Sequence, residues 1–247
     1  MKTLVIDIET SPAVMRGFGL FDQNFGLNQV VDPGGVICFA AKWVGSKKVH
    51  FHSEYDAGGR AGVAEASWEL YDEADYVVHF NGTSFDTKHL QREMLLAGMG
   101  PPSPHKPIDL MRISKANFRW LSNKLQHVSE QLGVGSKLKH EGFDLWNGWM
   151  DGDPGAIKRM TRYCKQDVAL TEELFLALEP WIPKTARTNM AIGQIGTVCP
   201  GCGSRNLKLF GVYRTAVSSY QRYRCNDCMR VSRGGPRLEK ANLTALS

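Results

Sequence analysis

Asp7 and Glu9 stand one residue apart inside the apolar run "LVIDIETSP", residues 4–12. Side chains alternate faces along a strand, so the two acids point one way and Ile6 and Ile8 the other. Adjacent carboxylates repel, and burying either is costly unless it is paired. The pattern fits an exposed edge strand whose polar face meets water, or a strand whose acids share a cation. Asp86 follows another apolar run in "HFNGTSFDTKHL" and falls where a helix would begin. An acid is favoured there by the helix macrodipole, yet ligands of open α/β sheets also gather beyond strand carboxyl ends. Tyr163 and Asp167, in "RYCKQDVAL", are spaced to share one helix face. Taken alone, that pair describes a core tyrosine beside a solvated acid equally well. Near the C-terminus, "CPGC" (199–202) and "CNDC" (225–228) give C-x₂-C-x₂₂-C-x₂-C, a spacing made for metal rather than for a disulfide framework.

These residues need elements to hold them. Residues 2–9 read as a first strand and 11–35 as a long loop rich in Gly, Asn, Gln and Phe. "VICFAAKWV" and "KKVHFHS" read as a hairpin turning at Gly45-Ser46. A helix over about 60–73, a strand "DYVVHF", a helix from Ser84 to Ala97 and a short strand "PIDL" follow. Asn123 with Gln126 resembles a capping box opening "KLQHVSEQL", closed by Gly133. Asp153 and Pro154 suit the N-cap and first position of a long helix that ends before Pro180. Strands first, then alternating elements, argue α/β or α+β architecture with a mixed sheet. There is no Gly-x-Gly-x-x-Gly after a strand, so a dinucleotide fold has no support.

In combination the acids say more than singly. "DIET", "NGTSFD" and "YCKQD" occur in the order found in the DEDD exonuclease superfamily, and the tyrosine marks its DEDDy subgroup. The resemblance spans almost all of residues 1–180, with Asn81-x-x-x-Phe85-Asp86 matching the second motif. The "FGLFDQNFGLNQ" segment is similar to bacteriophage-encoded members. The resemblance implies an RNase H-like mixed β-sheet flanked by helices and 3′–5′ hydrolysis of phosphodiester bonds with release of mononucleotides. It also implies two Mg²⁺ or Mn²⁺ ions, the hard cations that carboxylate oxygens favour. Asp7 would bridge both, Glu9 and Asp167 would complete one site, and Asp86 would hold the second ion directly or through water. Tyr163 would orient the attacking water, since a phenol with a pKa near 10 is a poor base at neutral pH. Thr10, Asn81 and Phe85 are candidate substrate contacts, with Phe85 equally readable as core. Phe18, Phe21 and Phe25 read as a loop folding onto its own core in preference to base-stacking rings. His79 reads as structural, and Cys38 and Cys164 as ordinary buried residues.

The four cysteines, Cys199, Cys202, Cys225 and Cys228, resemble a zinc ribbon holding one structural Zn²⁺ with no open position. Between the pairs, "KLFGVYRT" and "YQRYRC" alternate aromatic and basic residues as a hairpin would. Arg214, Arg222, Tyr223 and Arg224 are candidate nucleic-acid contacts there. Residues 180–247 hold eleven Lys and Arg against two acids, a formal +9 within a chain of net +5. That leaves −4 for residues 1–179, an acidic body with a basic tail, which fits a polyanionic partner.

The length of 247 residues leaves room for one substantial domain and a small second one. The expected division is an exonuclease domain at 1–180, a linker at 181–196, a zinc ribbon at 197–235 and a tail at 236–247. The opening "MKTLVIDIET" has acids where a signal peptide needs an apolar core. The longest apolar stretch is broken by Lys42 and too short for a membrane span. Few cysteines outside the metal spacing fit a reducing cytoplasm, the host's if the chain is phage-encoded. The expectation is a metal-dependent 3′–5′ exonuclease acting alone or as a separate subunit, with replication or recombination proteins as conceivable partners. Its substrate is nucleic acid, with DNA favoured over RNA and single-stranded ends favoured among DNA forms. A ribonuclease or structure-selective endonuclease on the same fold is one rival, and a non-catalytic nucleic-acid-binding adaptor is another.

Overall fold

Thr3–Thr10 forms strand β1, and it enters the middle of a sheet, not its edge. The structure is a computed structural model that describes residues 1–19, 21, 24–138, 141–183 and 189–242. Leu20, Asp22 and Gln23 of the phage-like segment, and Lys184 and Arg187 of the basic tail, lie outside the described residues. The chain divides into two units, Met1–Leu178 and Glu179–Ser247.

In the first unit, β1 is followed by two short strands, β2 (Val14–Met15) and β3 (Val30–Asp32), which pair within the stretch expected to be all loop. Then come β4 (Val36–Trp43), β5 (Val49–Ser53), helix α1 (Gly59–Glu73), β6 (Tyr76–His79), α2 (Asp86–Leu96) and β7 (Lys106–Asp109). Four helices complete the unit: α3 (Leu110–Asn117), α4 (Leu125–Leu132), α5 (Phe143–Met150) and α6 (Pro154–Leu178). The sheet order is β5-β4-β1-β6-β7, antiparallel across β5-β4-β1 and parallel across β1-β6-β7. This is the mixed α/β sheet with flanking helices that the element order predicts.

β1 splits its side chains as alternation requires. Leu4, Ile6 and Ile8 pack into a core with Phe39, Val63, Leu70, Leu90 and Met94, each such burial worth about 1.5–3 kcal/mol. The opposite face carries Asp7 and Glu9 on the side of α6, where the Cys164 thiol donates to the Asp7 carbonyl oxygen at 3.7 Å. Cys38 and Cys164 are both buried, as expected.

The register of β1 creates an opening. Its pairing with β6 covers only Thr3, Leu4 and Val5, after which β6 ends and the chain turns away. The turn is tight against His79: a Cβ on Gly82 would stand 2.4 Å from that ring, so only glycine fits. The Ile8 N–H, left without a strand partner on this side, donates to Asp86 Oδ1 at 3.3 Å. The end of one strand thus draws in the first residue of α2.

α6 starts as the sequence predicts, with Asp153 accepting from the Gly155 and Ala156 N–H groups at 3.1 and 2.9 Å. Its buried stripe includes Met160, Tyr163, Cys164, Asp167, Val168 and Leu174, so Tyr163 and Asp167 turn inward on the same face. Three expectations fail. The capping box of Asn123 and Gln126 does not form, because α4 begins after Lys124 and puts Gln126 one position too early to reach back. Gln126 pairs instead with Glu130 one turn on, at 2.8 Å. α3 and α5 were not legible as helices, each being only eight residues long. Phe18 and Phe21 are exposed instead of folding onto a core, since the β2-β3 pair ties this loop to itself.

The second unit is built on a three-stranded antiparallel sheet of β8 (Leu207–Arg214), β9 (Ser218–Cys225) and β10 (Val231–Lys240), with β9 central. β10 continues past residue 235, the end expected for the ribbon. Arg230 at the start of this strand donates to the carbonyl oxygens of Glu179 (2.7 Å) and Ile182 (3.3 Å) within the unit. No described helix is long and apolar enough to cross a membrane.

Candidate active site and cysteine cluster

Three carboxylates converge where β1 faces α6. Ligand oxygens of Asp7, Glu9 and Asp167 all lie within 4.8 Å of one another. Asp86 reaches the same region from the other side of β1 through its bond with the Ile8 N–H. The edge-strand alternative for Asp7 and Glu9 is thereby removed, since β1 lies between β4 and β6 in the sheet and packs against α6.

Concentrated negative charge in a buried place leaves a mark on Asp7, Glu9 and Asp86. The Asp7 carboxyl is held well above its ordinary range, by burial first and then by Asp86, Glu9 and Asp167, with Lys137 opposing. Glu9 is pushed up to about 8, chiefly by burial, with the charge of Asp167 adding and Lys137 opposing. Asp86 is raised to about 6 by burial, against which backbone N–H groups, including that of Ile8, work in the opposite direction. An all-oxygen cluster that resists ionisation by itself is the donor set that suits Mg²⁺ or Mn²⁺.

Lys137 escaped the sequence reading. Its ammonium pairs with Asp167 Oδ2 and donates to the Tyr163 hydroxyl at 3.0 Å. Burial lowers its pKa, but Asp167 and Tyr163 more than offset this and hold the ammonium charged. Tyr163 is itself raised above the usual phenol value, by burial and then by the Asp167 charge. Nothing in "GVGSKLKH" marks one lysine out, because loop lysines are ordinarily solvated. Asp109 was missed too, although an acid between a strand and a helical pattern is a readable cap. It accepts from the Met111 and Arg112 N–H groups at the start of α3 and from the Asn81 N–H at 3.0 Å. Its charge also raises the Asp86 carboxyl.

The candidate substrate contacts are distributed around this centre. Thr10 ends β1, and its carbonyl oxygen accepts from the Trp146 indole at 3.2 Å. Asn81 occupies a left-handed backbone conformation, φ 71°, and its side-chain oxygen accepts from the Ser84 hydroxyl at 3.2 Å. Phe85 is exposed at the head of α2, its ring 4.5 Å from that of His89. His79 is buried, its pKa lowered to about 4 mainly by burial.

In the second unit the ligand sulfurs of Cys199, Cys202, Cys225 and Cys228 lie within 4.8 Å of one another. Cys199 and Cys228 Sγ are 3.6 Å apart, as are Cys202 and Cys225 Sγ. A covalent S–S bond would be about 2 Å, whereas a tetrahedron with metal–sulfur bonds of about 2.3 Å has edges of roughly 3.8 Å. The Gly201 N–H donates to Cys199 Sγ at 3.3 Å, satisfying a thiolate as metal knuckles do. The cluster fits a zinc ribbon. Arg222 and Arg224 lie on one face of the sheet, while Arg214 and Tyr223 occupy the register positions of the other.

Comparison with known proteins agrees with this fold. Residues 26–178 match the model of the RNase_H superfamily, and since that is more than half of the chain, the protein belongs to this superfamily. The match begins after β1, so Asp7 and Glu9 enter the site on structural grounds. Among solved structures, the chain is similar to the family B DNA polymerase from the hyperthermophilic archaeon Pyrobaculum calidifontis, at 20% identity and a TM-score of 0.52. The likeness covers 72% of this chain and 24% of the polymerase, so it speaks for the fold. No curated protein matches. The protein thus carries an RNase H-like nuclease fold with two groups of side chains that could hold metal ions.

Proposed function

We propose that the chain is a metal-dependent 3′–5′ exonuclease of the DEDDy kind. The observation that carries this is the convergence of Asp7, Glu9 and Asp167 within 4.8 Å, with Asp86 beside them. These four acids would hold two Mg²⁺ or Mn²⁺ ions, which when bound activate water and neutralise the charge developing on the phosphate. Asp7 and Glu9 are aimed by a central strand and Asp167 by a buried helix face, so the oxygens need no reorganisation before binding. The Tyr163 hydroxyl keeps its proton at neutral pH and is suited to orient the attacking water rather than to abstract its proton. Lys137 holds that hydroxyl and Asp167 in register. A DNA substrate is in keeping with the likeness to part of a DNA polymerase. The second unit, with a structural Zn²⁺ on its four cysteines, would help hold the nucleic acid.

The test is a side-by-side digestion of end-labelled single-stranded and duplex DNA and RNA with Mn²⁺ or Mg²⁺. Stepwise loss of mononucleotides from the 3′ end of DNA is expected, abolished by Asp7→Ala. Internal cuts would favour the endonuclease reading, RNA preference the ribonuclease reading, and undiminished cleavage by Asp7→Ala would remove this site from the chemistry.

A further inference from the structure

The sheet of the second unit has two unlike faces. Residues directly opposite in neighbouring strands share a face, so the register sorts them. Arg222 and Arg224 of β9 stand opposite Arg233 and Val231 of β10, and Tyr220 opposite both Arg237 of β10 and Tyr213 of β8. Phe210 lies two residues beyond Lys208, which stands opposite Arg224, and so shares this face, while a bulge between Leu209 and Val212, with Gly211 at φ +79° making the bend, brings Tyr213 back to it. A Cβ on Gly211 would lie 3.6 Å from the Arg222 guanidinium, and the positive φ already excludes most side chains.

On this face the cations lie on rings. Arg224 stacks over Phe210 at 3.8 Å, Arg222 over the same ring at 4.8 Å, and Arg233 over Tyr220 at 4.0 Å. Tyr213 keeps an exposed ring beside them. Among the described residues no acid occupies the face. Glu239 stands opposite Ser219 on the other side and accepts from its hydroxyl at 3.3 Å, while Asp227 is held by Ser204 and Asn206 at the knuckle. Among the described residues no ion pair engages Arg222, Arg224, Arg233 or Arg237.

We propose that this face is a binding platform for single-stranded nucleic acid. The inference deepens the role given above to the second unit and rests on that reading. Unbalanced guanidinium groups call for a polyanion. The rings narrow the choice, because a base offers its flat face to Tyr213 or to a stacked guanidinium only when it is not paired within a duplex. Stacking on Phe210 and Tyr220 also restricts the arginine rotamers before a ligand arrives, so less entropy is lost on binding.

The full-length, zinc-loaded protein, without added Mg²⁺ or Mn²⁺, should be titrated with labelled oligo(dT) of about 12 nucleotides and with a blunt duplex of equal length. Oligo(dT) should bind more tightly than duplex. Tyr213→Ala should weaken oligo(dT) about 5- to 150-fold, the loss of one base stack, and leave duplex binding unchanged. The Arg233→Ala/Arg237→Ala variant should make the log–log salt slope for oligo(dT) shallower by about 1.4, two phosphate contacts. Arg214→Ala, a sequence candidate that the register places on the opposite face and so outside the platform, should change neither by more than about twofold, the effect of a distant charge under screening. Zinc content of each variant checks that the unit is intact. Tighter duplex binding, an equal loss with Arg214→Ala, or unchanged oligo(dT) binding by the double variant overturns the proposal, the last leaving a protein as occupant. Cleavage is read separately with Mn²⁺ on the same preparations. Binding through this face without cleavage would fail the exonuclease reading alone, and cleavage with unaltered binding would fail the platform alone.

Discussion

In the proposed mechanism Tyr163 and Lys137 act on Asp167 and the water site by position, and their substitution should show it. Tyr163→Phe removes one hydroxyl and no proposed metal ligand, so turnover should fall about 10- to 1,000-fold, the scale of one positioning hydrogen bond at a transition state. Asp7→Ala should cost several orders of magnitude more. Lys137→Met removes a charged contact to both Tyr163 and Asp167, worth about 1.5–3 kcal/mol or roughly 10- to 150-fold. That loss should fall on kcat and spare KM, measured under single-turnover and steady-state conditions. The carboxyl groups give a stability signature of their own. In the metal-free protein Asp86 is raised to about 6 and Glu9 to about 8, so the folded state holds protons that the unfolded state has released. Their contribution is fully present below the ordinary carboxylate range and is lost as pH rises through these folded values. Glu9→Gln should therefore melt increasingly above the wild type in chelator as pH goes from about 5 to 8, and saturating Mn²⁺ should reverse the order. A gap that stays constant with pH would mean that Glu9 is not strained.

At the level of elements, the junction of β1, β6 and α2 joins structure to chemistry. β6 stops pairing after three residues of β1, and Asp86 takes over at the Ile8 N–H. One side chain thus serves as a strand partner through one oxygen and as a proposed metal ligand through its charge. The two roles can be separated. Asp86→Asn keeps an acceptor for the Ile8 N–H but loses the charge, so in chelator at neutral pH it should melt at or above the wild type while cleavage falls by orders of magnitude. Asp86→Ala loses both and leaves a buried N–H without its acceptor, a further cost of about 1–3 kcal/mol. Denaturant unfolding of the two variants checks the difference, and equal stability would show that the Ile8 bond carries no weight.

Across the whole molecule, the proposed function divides the labour between the two units. The proposed catalytic groups all lie within Met1–Leu178, which has its own sheet and core, whereas the cysteine cluster and the arginine-rich face lie within Glu179–Ser247. Removing 179–247 should leave a folded body that degrades short oligonucleotides at low salt. Binding should weaken, with a salt slope shallower by about 0.7 for each phosphate of a single strand that the second unit no longer neutralises. The truncated protein should also lack one tightly held zinc per chain, read by elemental analysis. Unchanged affinity and salt dependence would assign the second unit to another task.

The amino-acid order marked Asp7, Glu9, Asp86, Tyr163, Asp167 and the four cysteines as candidates, through short local patterns that in combination resemble known families. Strand alternation, a helix start, an i,i+4 pair and a C-x₂-C spacing are all set by neighbours in the chain. The mixed sheet was legible for the same reason, through periodicity and turn residues. Lys137 was not, since its meaning comes from lying against residues 26 and 30 positions away. The Ile8–Asp86 bond, spanning 78 residues, depends on where β6 stops. Which residues of β10 and β8 join Arg222 and Arg224 on one face depends on strand register and, for Tyr213, on the β8 bulge, and a one-residue slip would change either. Asn123 and Gln126 show the converse: a local capping pattern yielded to packing that started α4 elsewhere. Residue chemistry is written locally, but its partners are chosen by long-range contacts, and those exist only once the chain has folded.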